Sequence, residues 1–224
     1  MPDTHTAAPE HPPQLQHHFD DMQQQYDSST LGMWVFLLTE IMFFGGMFGA
    51  YTVYRAMYPE AFASTSHHMD TLLGAINTAV LICSSLTMAL SVRAAQMGQK
   101  KLLMWMLILT IILGSVFLVI KGVEYHHKYV EHLIPWMGFE YPPTYYHNAQ
   151  ILFFLYFAMT GFHALHMIIG VGILSTLLYM ASKNKFSPSY YTPVEVSGLY
   201  WHFVDIVWIF LFPLLYLIGL HKGA

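Results

Sequence analysis

The chain has 224 residues, 55% of them hydrophobic, 16% aromatic and only 10% charged, where a soluble domain carries about a quarter charged residues. Ser, Gly or Pro repeats do not fill the deficit, which sets aside disorder. A net charge of −4 with histidine neutral argues against nucleic acid as a partner. A single cysteine, Cys83, excludes an internal disulfide and a multi-thiolate metal site; inside an apolar run it reads as a small apolar side chain. What remains is the composition of an integral membrane protein.

Residues 1–30 form a polar tail rich in His, Gln, Pro and Asp, expected to be exposed and mobile. Without Lys, Arg or an apolar stretch, it lacks both the n-region and the h-region of a signal peptide. Its histidines His5, His11, His17 and His18 read as scattered surface residues rather than a metal site. Five apolar runs follow, at 31–54, 72–95, 102–123, 150–181 and 198–220. Each reaches the roughly 20 residues that a helix needs to cross the hydrocarbon core. The fourth is longer and should tilt or protrude. Lipid requires backbone groups to be satisfied within the segment, so such runs form helices. The sequence therefore predicts an all-α fold, an integral membrane bundle of five transmembrane helices over residues 31–221.

Five spans put the termini on opposite sides. With the N-terminus cytoplasmic, the inside loops hold Arg93, Lys100, Lys101, Lys183 and Lys185, and the outside holds Arg55, Lys121, Lys128 and Lys222. The short loops favour this orientation. The long third connection, with Pro135, Trp136, Tyr141, Pro142, Pro143, Tyr145 and Tyr146, suits a folded loop at the membrane interface.

Ionisable groups inside a span are costly, so each requires a reason. Glu40 shares a helix face with Met33, Phe36, Phe44, Met47 and Tyr51, while Gly45 and Gly49 lie nearly opposite, where another helix could approach closely. A desolvated carboxyl at Glu40 points either to proton sharing or to a hydrogen bond with a neighbouring helix. His163 and His166, three apart in the fourth run, share a face with Tyr156, Met159 and Gly170. His202 and Asp205 repeat that spacing in the fifth run, on a stripe with Gly198, Ile209 and Tyr216, and would compensate one another as a buried pair. Pro213 is expected to bend this helix. Lys121 and Glu124 read as an ion pair fixing a helix end near the interface, where Lys can snorkel.

His163 and His202 could serve as haem ligands on opposite faces of one macrocycle, and two His with carboxylates would suffice for iron or zinc. No spacing within the spans compels either, and structural polar contacts or lipid headgroup binding are favoured. A proton-coupled transporter, with Glu40 and Asp205 as relay, is opposed by the odd span number and the absence of an internal repeat.

The segment Tyr200-Trp-His-Phe-Val-Asp-Ile-Val-Trp-Ile-Phe-Leu-Phe closely resembles a signature of the cytochrome c oxidase subunit III family. Phe162-His-Ala-Leu-His-Met-Ile-Ile-Gly, Thr39-Glu-Ile-Met-Phe-Phe and Lys121-Gly-Val-Glu-Tyr are similar to three further family motifs, in the family's order, over about residues 30–220. The resemblance implies a non-catalytic core subunit of a haem–copper oxidase. It would hold no haem, copper or other metal of its own, these cofactors residing in subunits I and II. It would pack on subunit I, bind phospholipid and support proton uptake. By position Glu40 would be the buried carboxyl and His166 the histidine near a lipid headgroup, with His163 beside it. Glu195, His202 and Asp205 match the pattern around the last helix.

Longer members have seven helices, and this chain lacks the first two. Five-helix forms occur in bacterial oxidases, so the resemblance implies the bacterial inner membrane and a subunit I extended by two C-terminal helices. It also allows a larger respiratory supercomplex. Five helices also typify quinol oxidase subunit III, but Glu rather than Asp in the first span leans toward cytochrome c as donor.

Overall fold

Helices in lipid gain nothing from excluding water, so they associate through close packing and interhelical hydrogen bonds. The computed structural model describes residues 15–66, 70–135, 141–142 and 146–217; His5, His11, Trp136, Pro143, Tyr145 and Lys222 lie outside them. Its helices are α1 (Met22–Met57), α2 (Pro59–Ser66), α3 (Thr71–Gln96), α4 (Lys100–Val130), α5 (Tyr146–Ser182) and α6 (Thr192–Tyr216). All but α2 are long and apolar enough to cross a membrane, and the described residues contain no strand. The chain is a multi-pass membrane protein.

Local chemistry sets the ends. The Asp21 carboxylate accepts from Gln24 N at 2.7 Å, and Asp70 accepts from Leu72 N and Leu73 N at 3.1 Å each, so two helices start on side-chain caps. Three end alike. Gly98, His132 and Asn184 take positive φ after α3, α4 and α5, and the next residue's N–H reaches back to Ala94, Lys128 and Met180 carbonyls. That is the Schellman arrangement, which satisfies otherwise orphaned carbonyls.

Two expectations need correction. The helix that was to begin at residue 31 starts at Met22, so part of the polar tail is the first turns of α1, and Tyr26 there donates to Glu195 Oε1 of α6 at 3.2 Å. Helix α4 also runs past residue 123 to Val130. Between α1 and α3 lies α2, which the hydropathy pattern does not mark because it is short. Its Phe62 is buried with its ring 5.4 Å from that of Tyr51.

Helices α3, α4, α5 and α6 form a closed ring, each touching the next, with α6 also meeting α3; α1 lies outside it, against α5 and α6. Trp201 of α6 closes the ring. A Cβ on Gly114 of α4 would stand 2.7 Å from its indole, and one on Gly170 of α5 would stand 2.8 Å away. The ring therefore sits in a slot between two glycines, and its Nε1–H donates to Ser84 Oγ of α3 at 3.0 Å. One side chain touches all three other helices of the ring. Lower on α6, Trp208 Nε1–H donates to Thr78 Oγ1 of α3 at 3.1 Å. Helix α6 continues through Pro213 to Tyr216.

The slot yields a direct test. Gly170→Ala pushes a methyl into a rigid aromatic ring and is expected to destabilise the subunit by about 1–3 kcal/mol, the usual range for overpacking. Gly172→Ala, where a Cβ meets nothing within 4 Å, should cost nothing measurable. Thermal unfolding of the two variants in detergent gives the comparison.

Candidate functional site

The polar side chains within the bundle fall into separate groups. The most enclosed joins α4, α5 and α6. Lys121 Nζ donates to Glu124 Oε2 at 2.9 Å, to Tyr216 Oη at 2.8 Å and to Tyr156 Oη at 3.4 Å. Glu124 Oε1 accepts from Tyr156 at 2.6 Å and from Tyr216 at 2.5 Å. Lys121 also lies 5.0 Å from the Trp208 ring centre, a cation–π distance. All three ammonium protons and both carboxylate oxygens have partners, the condition under which a buried pair is tolerable. This differs from the expected snorkelling pair: Lys121 and Glu124 are only 3% and 2% exposed, because α4 carries on beyond them and α5 and α6 cover them.

A second group is set at the junction of α1, α5 and α6. Glu40 Oε2 is 3.1 Å from His166 Nε2, while His166 Nδ1 is 2.8 Å from the Phe162 carbonyl. A carbonyl only accepts, so Nδ1 carries a proton. One further proton then lies between Nε2 and the carboxyl oxygen, giving either imidazolium with carboxylate or neutral imidazole with carboxylic acid. Both forms are net neutral, which suits the membrane interior. Tyr200 of α6 donates to the His166 carbonyl at 3.0 Å. On α1, Phe44 and Tyr51 of the expected Glu40 face are buried. At Gly45 and Gly49 an added Cβ would meet nothing within 4 Å, so no helix among the described residues packs closely there.

Beside this junction an apolar cavity of about 470 Å³ separates α1 from α6, lined by Trp34, Ile41, Phe44, Phe48, Phe203 and Phe210 among others. Its walls are almost wholly hydrocarbon and aromatic, chemistry that suits a lipid acyl chain. His202 lies at its margin.

The histidines do not act together. His163, 1% exposed, packs with ring centres 5.3 Å from both Phe117 and Trp208, and neither ring nitrogen has a hydrogen-bond partner among the described residues. His166 turns toward Glu40. His202 Nδ1 is 2.7 Å from Ser85 Oγ of α3, and no hydrogen bond or ion pair joins it to Asp205 among the described residues. The expected His202–Asp205 pair is therefore not formed, because Ser85 reaches the ring first. Among the described residues no three His, Cys, Asp or Glu converge as a metal site. Sequence reasoning missed Ser84, Ser85 and Thr78, whose signal was their polarity in an otherwise apolar run.

The family model for cytochrome c oxidase subunit III matches residues 16–220. A cytochrome c oxidase subunit 3 of Corynebacterium diphtheriae is 37% identical over 84% of this chain and 87% of its own length. A probable quinol oxidase subunit 3 of Staphylococcus haemolyticus is 28% identical over 90% of this chain and 94% of its own. Cytochrome c oxidase subunit 3 of Gallus gallus is 30% identical over 83% of this chain but 67% of its own length.

Removing one member of the enclosed pair leaves the other charge buried without compensation. Lys121→Met is expected to destabilise the fold by about 3–5 kcal/mol. The double variant Lys121→Met with Glu124→Leu should regain part of that loss. Yield of folded protein and its thermal midpoint in detergent read both, and a single variant as stable as the parent would refute the network's role.

Proposed function

The chain belongs to the cytochrome c oxidase subunit III family, which makes it subunit III of a haem–copper oxidase complex, and we propose that it serves there as a core subunit with no catalytic centre of its own. In this reading haem and copper belong to subunits I and II. This chain packs on a subunit I extended by two C-terminal helices, in a bacterial inner membrane with its N-terminus cytoplasmic, where a larger supercomplex is a further partner. The observation that supports the reading is the separation of the histidines: His163 among aromatic rings, His166 on Glu40 and His202 on Ser85. Each is directed to a different neighbour, and none presents a shared axial geometry.

The cavity between α1 and α6 has the composition to take a phospholipid acyl chain. Helix α1 then forms one wall beside that lipid, and the Glu40–His166 pair that joins α1 to α5 is the element through which the subunit supports proton uptake. Cytochrome c is proposed as the electron donor. Relatives named for cytochrome c oxidases reach 37% identity, against 28% and 29% for two relatives named for quinol oxidases. The quinol reading stays as the second, since the donor site lies in another subunit.

Purification in mild detergent through a tag on this chain should bring down subunits I and II, with haem signals in the reduced-minus-oxidised spectrum that leave when this chain is stripped away. A lone chain retaining its own haem would overturn the non-catalytic reading. For Glu40→Gln, initial oxygen uptake should stay near that of the unaltered complex, while bound phospholipid falls and activity decays faster during turnover. Immediate, complete loss of oxygen reduction in a haem-replete complex would contradict it.

A further inference from the structure

Asp205 is a buried carboxyl that the bundle leaves unserved among the described residues. It is 2% exposed, and neither carboxylate oxygen meets a hydrogen-bond partner among the described residues. Ser85 lies beside it, and its hydroxyl, 2.7 Å from His202 Nδ1, has a single proton to donate and cannot serve both carboxyl oxygens. These three residues line a cavity of about 270 Å³ between α3 and α6, whose remaining walls include Ile82, Leu86 and Ile209. Those three apolar side chains are each about half exposed, so the cavity opens sideways from the bundle.

Its depth limits what can enter. Asp205 stands about 20 Å along α6 from Thr192 and about 16 Å from Tyr216 at 1.5 Å per residue. That is close to the middle of a hydrocarbon core about 30 Å thick. A lipid phosphate sits far from that level. A hydrated ion would have to cross apolar side chains and hydrocarbon to arrive. A donor carried into the membrane on a helix meets neither obstacle. An unpaired carboxyl in this position is costly enough that such a donor fits its free lone pairs.

We propose that the cavity of Ser85, His202 and Asp205 is a docking socket for a hydrogen-bond-donating side chain on a transmembrane helix of another oxidase subunit. The inference rests on this chain's membership of an oxidase complex and names the residues through which α3 and α6 engage it. The Lys121–Glu124 network closes on itself within the chain. Asp205 instead completes its hydrogen bonds across the subunit boundary, so the α3–α6 face points toward protein rather than lipid.

The test uses the intact oxidase, purified through a tag on another subunit, with the photo-reactive residue p-benzoylphenylalanine replacing Leu86 or, separately, Ile209. Recovery of this chain with the wild-type complex is read first; its absence would contradict complex membership itself. Irradiation should then join it to a transmembrane peptide of a second subunit, with a Lys, Arg, Ser, Thr, Asn, Gln or Trp within one turn of the adduct. Asp205→Ala should lower retention of this chain several-fold under a detergent challenge, and Asp205→Asn, which keeps one acceptor oxygen, should lower it less. Adducts to lipid or detergent alone from both positions would overturn the socket, whether or not Asp205→Ala folds. So would a subunit adduct accompanied by full retention of the Asp205→Ala chain.

Discussion

The bundle depends on the seating of Trp201 between two glycines. Hydrocarbon solvates a leucine as well as another helix does, so spans separate unless their surfaces fit closely or exchange hydrogen bonds. Trp201 does both: its indole meets α4 at Gly114 and α5 at Gly170, and its N–H meets α3 at Ser84. The same helix sends Tyr200 to a carbonyl of α5, Trp208 to α3 and Tyr216 to Glu124 of α4. Each polar tip leaves α6 for a different neighbour. The aromatic bodies supply contact area and the N–H and O–H groups supply direction.

Against that frame the ionisable groups divide by where their partners come from. Lys121 and Glu124 are enclosed, and their network is complete inside the chain. Glu40 and His166 meet at the seam between the ring and the peripheral α1, beside the apolar cavity. Asp205 sits at a wall that opens outward. The enclosed group belongs to stability. The seam and the wall, both reachable from outside the ring, are where the subunit can meet lipid or a neighbour.

Much of the fold was legible because lipid imposes a simple rule, that long apolar runs become helices. The limits of the helices were less legible. Residues 22–30 are polar and lack the apolar signature, yet the Asp21 cap and the Tyr26–Glu195 bond carry α1 through them. At the site, spacing put Glu40 on one face with Phe44 and Tyr51, and His163 and His166 on one side of their helix, but it set the close helix approach at Gly45 and Gly49, where an added Cβ meets nothing within 4 Å. It could not reveal that the two rings part, one toward Trp208 and the other toward Glu40. Nor could it show that a serine from another helix takes His202 away from Asp205. Spacing along one helix fixes which residues lie near each other, whereas the choice of partner is made across helices.

The position of Trp201 also bears on how the protein is made. Helix α6 follows α3, α4 and α5 out of the ribosome, yet it carries the indole that fills the slot and the tyrosine that completes the Glu124 network. Helices α3 and α4, joined by the tight turn at Gly98, can pair as soon as both are inserted. Until α6 arrives, however, the Gly114–Gly170 slot stands empty and Lys121 and Glu124 lack one of their shared hydroxyls. A nascent chain halted before α6 is therefore an open assembly with polar groups facing lipid, the state that membrane quality control recognises. Insertion of α6 and closure of the bundle are the same event.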